Sequence, residues 1–163
     1  MKKIEMKPIG YVRSPIKDRE GGPIQPDGGN EIRGTIEIEP EFAEGLDDLE
    51  GFSRILVIFN FHLSSGYRLR VIPFLDDVKR GVFSTRSPNR PNPIGLSSVI
   101  LERIEGNTLF IKGMDMLDGT PVLDIKPYIP RIDSHPGEGI GWLKDKDGKM
   151  SEMISDGRFI RDP

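Results

Sequence analysis

Residues 96–114 read LSSVILERI-EGNT-LFIKGM, and this stretch decides the fold class. Two runs rich in apolar and β-branched residues, Leu96 to Ile104 and Leu109 to Met114, flank the short polar segment Glu105-Gly106-Asn107-Thr108. Runs of this kind favour strands, and a short connection containing glycine and asparagine favours a tight reversal between them. The stretch therefore predicts a β-hairpin.

Similar strand patterns recur on both sides of this hairpin. Glu31 to Glu39 alternates Ile or Gly with charged or polar residues, which is the period of a half-buried strand. Arg54 to His62 is the most apolar segment and predicts a central strand buried on both faces. Ile4 to Val12 predicts another strand, and Val82-Phe83 predicts the beginning of a further one. Many short strands indicate a mainly β protein.

The segments between the predicted strands are short helical or turn-forming stretches. Pro40 can begin a first helical turn, and Phe42, Leu46 and Leu49 are spaced for one face, so a short helix is expected here. Asp-Gly pairs mark later turns at 118–119, 147–148 and 156–157. This organisation predicts a small β-barrel or sandwich rather than alternating βα units.

The length and the turn-forming residues favour one domain. The chain has 163 residues, which suits a single domain spanning 1–163, and it contains no internal repeat. Its 19 glycines and 14 prolines indicate many turns and long loops rather than disorder, because β-branched runs lie between them. Residues 137–163 are more charged yet carry several large apolar side chains, and we expect them to close the sheet or to exchange with a partner subunit.

Composition excludes several classes of protein. No apolar stretch approaches the roughly 20 residues that cross a bilayer, and the first residues, MKKIEMKPIGYVRSP, do not resemble a secretory signal. The absence of cysteine excludes disulfides, thiolate metal sites and a cysteine nucleophile. We therefore expect a cytoplasmic protein with no membrane association. The net charge of −3 means that any contact with RNA needs a local basic patch.

Common catalytic and nucleotide-binding motifs are also missing. The sequence contains no G-x-G-x-x-G after a strand, no G-x-x-x-x-G-K-[ST], no G-x-S-x-G and no H-E-x-x-H. His62 and His135 are the only histidines, and they are far apart among carboxylates without a pattern. We therefore expect hydrogen-bonded histidines and no metal site.

The loop from Arg86 to Gly95 is a candidate binding loop. Prolines at 88, 91 and 93 stiffen it, and it presents Arg86 and Arg90. Guanidinium groups on a stiff loop lose little entropy on binding, so a carboxylate, a phosphate or a nucleobase is a plausible ligand. The alternative is a structural loop whose arginines pair with acidic neighbours.

Three further segments have candidate roles. Asp118-Gly119-Thr120-Pro121 predicts a tight turn with exposed backbone groups, followed by a strand on which Val122, Asp124 and Lys126 share one face; a turn without a ligand is the alternative. The stretch from Arg13 to Asn30 predicts a long loop, either binding or mobile. The segment from Tyr67 to Arg90 contains six basic residues and only two acidic ones. It is either a basic patch that binds a polyanion or a solvated surface without a ligand.

Four motifs in this order resemble one family. They are Gly10-Tyr-Val-Arg-Ser-Pro15, Phe83-Ser-Thr-Arg86, Arg90-Pro-Asn-Pro-Ile-Gly-Leu-Ser97 and Asp118-Gly-Thr-Pro-Val-Leu-Asp-Ile-Lys-Pro-Tyr-Ile-Pro130. The sequence is similar to the S-adenosylmethionine-dependent tRNA methyltransferases of the β-barrel (TsaA-like) type, which methylate N6 of threonylcarbamoyladenosine beside the anticodon. The resemblance implies a homodimeric β-barrel enzyme that binds S-adenosylmethionine and tRNA.

The resemblance also implies which residues form the site. The implied cofactor-binding residues are Pro26, Asp27, Gly28, His62, Leu63, Arg86, Leu96, Asp118, Gly119, Thr120 and Pro121. Arg90 and Lys126 are expected to meet the RNA, and Asp124 or Tyr128 is expected to assist deprotonation of N6. Two alternatives stay open: an S-adenosylmethionine-binding enzyme acting on a small molecule, and a non-enzymatic S-adenosylmethionine sensor.

Overall fold

A closed β-barrel forms the body of the protein. The computed structural model describes residues 3–18 and 31–144. Six strands close in the order β1-β2-β7-β6-β3-β8, every neighbouring pair being antiparallel. Their bounds are β1 Gly10–Arg13, β2 Arg33–Ile38, β3 Arg54–Asn60, β6 Ile94–Glu105, β7 Thr108–Lys112 and β8 Pro121–Pro127. The expected mainly β class and barrel are confirmed.

The remaining described elements are short. Strands β4 (Arg70–Val71) and β5 (Arg80–Gly81) pair outside the barrel between β3 and β6. The predicted helix after β2 is present as a 3₁₀ helix, Pro40–Leu46, followed by a second one, Leu49–Gly51. Helix α1 (Pro130–Asp133) follows β8, and a 3₁₀ turn forms at Gly141–Leu143. None of the helices in the described ranges is long and apolar enough to cross a membrane.

Every second side chain along the barrel strands points into the barrel and fills its interior. The inward side chains are fully or almost fully buried, and they belong to every barrel strand: Val12, Ile36, Ile38, Ile55, Val57, Phe59, Val99, Leu101, Leu109, Ile111 and Val122. Strand β3 was expected to be buried on both faces, but its residues alternate between buried and half-buried. A barrel has one interior, so a strand paired on both edges still has a single core face.

The hairpin that decides the fold class forms as predicted. Strands β6 and β7 pair from Ile100↔Lys112 to Glu105↔Thr108, which leaves Gly106 and Asn107 as the turn. Gly106 has φ of +60°, a conformation that a residue without Cβ adopts without strain. The polar segment between the two apolar runs therefore ends one strand and begins the next.

The strand predicted from Ile4 to Val12 is shorter than expected, because β1 begins only at Gly10. Two further local predictions were wrong. Val82-Phe83 does not begin a strand, because Val82–Ser84 forms a 3₁₀ turn directly after the short strand β5. Val122, Asp124 and Lys126 do not share a face, because the pairing of β3 with β8 shifts by one residue between Ile58 and Phe59. This β-bulge leaves Val122 inward, while the side chains of Asp124 and Lys126 are about half exposed.

Strand directions bring the long connections to one end of the barrel. Strands β1, β3 and β7 end at the side of the barrel where β2, β6 and β8 begin. This follows from the pairs Arg13↔Thr35, Arg33↔Lys112, Asn60↔Ile94 and Phe59↔Val122. The β1–β2, β3–β6 and β7–β8 connections therefore leave from the same end, which we call the loop end. The described parts of all three candidate binding segments lie there.

Gly95 allows the loop end to pack closely, and its replacement by Ala is expected to destabilise the barrel. A Cβ at Gly95 would overlap the ring of Phe59, including Cε1 at 2.8 Å, and Phe59 is almost fully buried. Overpacking of this kind costs about 1–3 kcal/mol. Urea unfolding of Gly95→Ala measures the loss. Gly81→Ala is the control because a Cβ at Gly81 meets nothing within 4 Å; equal stability of the two variants would contradict the packing.

Candidate functional site

The turn at residues 118–120 is joined by its backbone to the end of β1. The amide of Asp118 donates to the carbonyl of Ile16 at 2.9 Å, and the amide of Gly119 donates to that of Val12 at 2.9 Å. The amide of Val12 in turn donates to the carbonyl of Thr120 at 3.0 Å. Gly119 has φ of +73°, which explains glycine at the tip. The turn is therefore a fixed part of the loop end.

The Asp118 carboxylate fastens the chain that follows β1. One oxygen accepts a hydrogen bond from the Ser14 amide at 2.9 Å, and the other forms an ion pair with Lys17 Nζ at 2.7 Å. The hydrogen bond from Lys17 and the bond from the Ser14 backbone hold the pKa of Asp118 below its usual value. Asp118 is thus ionised at neutral pH and positions the start of the β1–β2 connection.

A second carboxyl group, Asp115, lies in the same β7–β8 connection. The hydroxyl of Ser97 on β6 donates to its Oδ1 at 2.6 Å, and Ser97 is 1% exposed. Burial raises the pKa of Asp115 to about 6, although the Ser97 hydrogen bond and the charge of Arg86 both act to lower it. The positive charge of Arg86 therefore acts on the carboxyl group of Asp115 at the loop end.

The Arg86 loop is stiffened from within by Arg90. Its Nη1 donates to the carbonyls of Thr85 at 3.1 Å and Ser87 at 3.4 Å. The hydroxyl of Ser64 also binds this loop, at the carbonyl of Pro88 (3.2 Å). Arg86 itself is exposed. Arg90 thus stiffens the loop through backbone carbonyls rather than through acidic neighbours, while the charge of Arg86 acts on Asp115.

Apolar side chains lie exposed beside these polar groups. Leu63 follows the end of β3 and is 48% exposed, and Leu96 at the start of β6 is 49% exposed. His62 precedes Leu63 in a tight turn, its amide donating to the Asn60 carbonyl at 2.8 Å. The loop end therefore presents both a cationic group and apolar surface to a ligand.

The sequence profile of the tRNA-methyltransferase O N-terminal domain matches residues 11–134, which contain all these loops and the whole barrel except its first residue, Gly10. The chain belongs to this family. A Pyrococcus abyssi relative named a probable S-adenosyl-L-methionine-binding protein is 48% identical over 154 residues, covering 94% of this chain and 84% of the relative. The expected membership in the β-barrel (TsaA-like) tRNA methyltransferase family is confirmed.

Longer relatives show the same similarity over part of their length. A mouse tRNA (adenine(37)-N6)-methyltransferase is 44% identical over 135 residues, covering 78% of this chain and 31% of the mouse protein. The crystal structure of TrmO from Pseudomonas aeruginosa matches with a TM-score of 0.73 and 40% identity, covering 86% of this chain and 63% of that chain. The chain thus spans less than two thirds of the length of each of these two proteins.

The loop end gathers most of the residues that the tRNA methyltransferase O resemblance implied for the cofactor. His62, Leu63, Arg86 and Leu96 lie there, together with the turn at residues 118–121. Pro26, Asp27 and Gly28 lie outside the described residues, so their role stays a prediction. In the described ranges, no group of three or more His, Asp or Glu residues could hold a metal ion.

Of the residues expected to act on the RNA, Arg90 belongs to the Arg86 loop, whereas the other three lie on β8 or directly after it. Asp124 and Lys126 form an ion pair with each other at 2.8 Å on the outer face of β8. The Tyr128 amide donates to the carbonyl of Arg54, where β3 begins. Strand β3 separates this point from the loop end by roughly 20 Å. Within one chain, Tyr128 is therefore not brought together with Arg86 and Asp118.

Sequence reasoning missed Asp115. The available signal was Ser97, a polar residue whose parity on β6 matches the inward residues Gly95 and Val99. A buried hydroxyl needs a hydrogen-bond partner, so a polar group from another segment had to approach it. The sequence does not say which segment crosses the barrel opening at this point, and the structure assigns that place to Asp115.

Asp118→Ala is expected to loosen the β1–β2 connection. The change removes the acceptor for the Ser14 amide and the partner of Lys17, at a cost of about 1 kcal/mol because the carboxylate is partly exposed. Since the folded pKa is depressed, this stabilisation is present at neutral pH and fades as the pH falls through the acid range. Hydrogen exchange of the Ser14 amide should accelerate at pH 7; unchanged exchange would contradict this role.

Proposed function

We propose that the protein is an S-adenosylmethionine-dependent methyltransferase that methylates N6 of threonylcarbamoyladenosine in tRNA. The observation that carries the proposal is the convergence of the family's Arg86 loop and Asp118 turn at one end of the barrel. Relatives with matching sequence are named S-adenosyl-L-methionine-binding proteins and tRNA (adenine(37)-N6)-methyltransferases. A tRNA substrate also implies a cytoplasmic location.

The surface of the loop end fits S-adenosylmethionine in its chemistry. Leu63 and Leu96 offer exposed apolar area for an adenine ring, and the Arg86 guanidinium offers a partner for a carboxylate. The backbone of the turn at residues 118–121 is held in place for ligand hydrogen bonds. Pro26, Asp27 and Gly28 are proposed to complete this site from the β1–β2 connection.

The bound cofactor would supply an activated methyl group, so the chain mainly has to hold the reactants in line. Arg86 fixes the carboxylate end of the cofactor, and the apolar residues exclude water from the other side. Asp118 acts indirectly, since its contacts with Ser14 and Lys17 hold the β1–β2 connection against the turn. The site therefore contributes through positioning and electrostatics.

Basic residues between β3 and β6 support tRNA as the substrate. Arg68, Arg70 and Lys79 are exposed, whereas Arg80 is partly neutralised by Asp76 at 2.7 Å. Arg90 and Lys126 are further candidates for RNA contacts, in addition to their contacts within the protein. Exposed cations near the loop end would attract the phosphate backbone of the tRNA. This attraction becomes weaker as the salt concentration rises.

The exposed apolar residues of the same region support a homodimer. Large apolar side chains with more than half of their surface exposed are concentrated between β3 and β6: Tyr67, Leu69, Val78 and Phe83. Apolar residues clustered in one segment are typical of an interaction surface. Light scattering at micromolar concentration should give the mass of a dimer, and Leu69→Glu should shift the mass towards that of the monomer.

Methyl transfer to two pools of tRNA tests the proposed function. The protein is incubated with methyl-labelled S-adenosylmethionine and total tRNA that either contains or lacks threonylcarbamoyladenosine. Label is expected only in the pool that contains it. Binding of the cofactor with label in neither pool would favour the small-molecule enzyme or the sensor instead, and label in both pools would contradict the substrate.

A further inference from the structure

Asp115 occupies the opening of the barrel at the loop end. It follows β7, it is half-buried, and its carboxylate is held by the hydroxyl of Ser97, which projects inward from β6. The positive charge that acts on it belongs to Arg86, from the loop before β6, and the group that faces it from β6, Ser97, is uncharged. A carboxyl group is thus fixed beside the proposed cofactor-binding arginine.

The other carboxylates proposed for the site are already engaged in tight contacts. Asp118 is bound by Lys17 and the Ser14 amide, and its pKa is lowered. Asp124 is paired with Lys126 and also accepts a hydrogen bond from the Ile125 amide at 2.9 Å. Asp118, with its pKa lowered by these contacts, is a poor proton acceptor. Asp115 differs, because burial raises its pKa to about 6.

We propose that Asp115, held by Ser97, accepts the proton that N6 of the adenosine loses during methyl transfer; this role rests on the proposed function. The N6 lone pair forms a bond to the methyl carbon, and the carbon–sulfur bond breaks with its electron pair remaining on sulfur. The sulfonium becomes a neutral thioether. The proton leaves N6 for the carboxylate of Asp115 and passes from there to solvent, so atoms and charge balance.

The properties of Asp115 suit this role. A group with a pKa of about 6 is largely ionised at pH 7.5, yet it is a stronger base than an ordinary aspartate. The charge of Arg86 acts to lower the pKa of Asp115 and so favours the ionised form. The methyl donor and the proton acceptor would then be held by neighbouring residues of one loop end, which is the arrangement that a concerted transfer needs.

Single-turnover methylation of tRNA carrying threonylcarbamoyladenosine tests this role with Asp115→Asn. Loss of the base is expected to slow methyl transfer about 10²- to 10⁴-fold. The dissociation constant of S-adenosylmethionine should change less than about threefold, since the variant keeps the shape of the side chain and an acceptor for Ser97. Asp115→Glu should restore part of the rate. Asp47→Asn, an exposed change in the β2–β3 connection at the opposite end of the barrel, is the control.

The pH dependence of the rate distinguishes proton transfer from a structural role. The wild-type rate should fall as the pH drops through about 6, as the carboxylate becomes protonated. Ser97→Ala removes a hydrogen bond that favours the ionised form, so its midpoint should move to higher pH while the plateau at high pH is kept.

Three results would overturn the role of Asp115. The first is an Asp115→Asn rate within threefold of the wild type, and the second is an unchanged midpoint in Ser97→Ala. Both leave the proposed function standing. The third, no methylation by the wild-type protein, overturns the function and the role together. Circular dichroism and S-adenosylmethionine binding by each variant separate loss of the base from loss of the fold.

Discussion

Arg86→Ala is expected to weaken the binding of S-adenosylmethionine by about 10- to 100-fold. The guanidinium is exposed at the loop end, on a loop that Arg90 and three prolines keep stiff, and it is the proposed partner of the cofactor carboxylate. Charge-assisted hydrogen bonds contribute about 1.5–3 kcal/mol, and each 1.4 kcal/mol corresponds to tenfold in affinity. Calorimetric titration with the cofactor measures the loss.

Arg103→Ala is the matched control for this prediction. Arg103 is an exposed arginine near the β6–β7 turn, at the other end of the barrel, where its side chain binds Glu105 and lies over the ring of Phe110. Its removal should leave cofactor affinity unchanged. If Arg86→Ala binds the cofactor as tightly as Arg103→Ala, then Arg86 does not hold it, and the cofactor site must be placed elsewhere.

Asp115→Asn is expected to stabilise the fold at pH 8 by about 2 kcal/mol. The pKa of Asp115 rises from 3.8 to about 6 on folding, so between these values the folded protein holds the proton more tightly than the unfolded chain does. Stability from this group is therefore lost as the pH rises, and above about pH 6 the buried charge opposes folding by up to about 3 kcal/mol. An amide keeps the Ser97 contact without that charge.

Urea unfolding at pH 8 and pH 4 measures this effect. The advantage of Asp115→Asn should be present at pH 8 and should shrink towards pH 4, where the wild-type carboxyl is largely protonated. Asp47→Asn, at an exposed position, should show no such change. We expect the charge of Asp115 to lower the stability of the fold while it serves methyl transfer. A variant that is less stable than the wild type at pH 8 would contradict this, because it would show that the ionised carboxylate stabilises the fold.

Local sequence patterns were sufficient for the strands, whereas they left open whether the strands form a barrel or a sandwich. The two apolar runs around Gly106 and the alternation in Glu31 to Glu39 depend on neighbours within a few residues, and both form the predicted strands. The bulge in β8 could not be predicted in this way, because it is set by the pairing with β3. Alternation alone placed Asp124 on the same face as Val122, and one extra residue in the ladder reverses that assignment.

The site was predictable where it depends on chain motifs and not where it depends on tertiary contacts. The Arg86 loop and the Asp118 turn stand out by their prolines, glycines and charges. That Asp118 binds Lys17 and the Ser14 amide follows from β1 and β8 being neighbours, which no local pattern reveals. The same holds for Asp115, whose pKa is raised by the segments that surround it.

The most direct test of the proposed function is mass spectrometry of nucleosides after the reaction. Transfer RNA that contains threonylcarbamoyladenosine is incubated with the protein and S-adenosylmethionine, digested to nucleosides and separated. We expect threonylcarbamoyladenosine to decrease while a derivative carrying one additional methyl group at N6 appears in equal amount. A methyl group on any other nucleoside, or no methylated nucleoside from a protein that binds the cofactor, would contradict it.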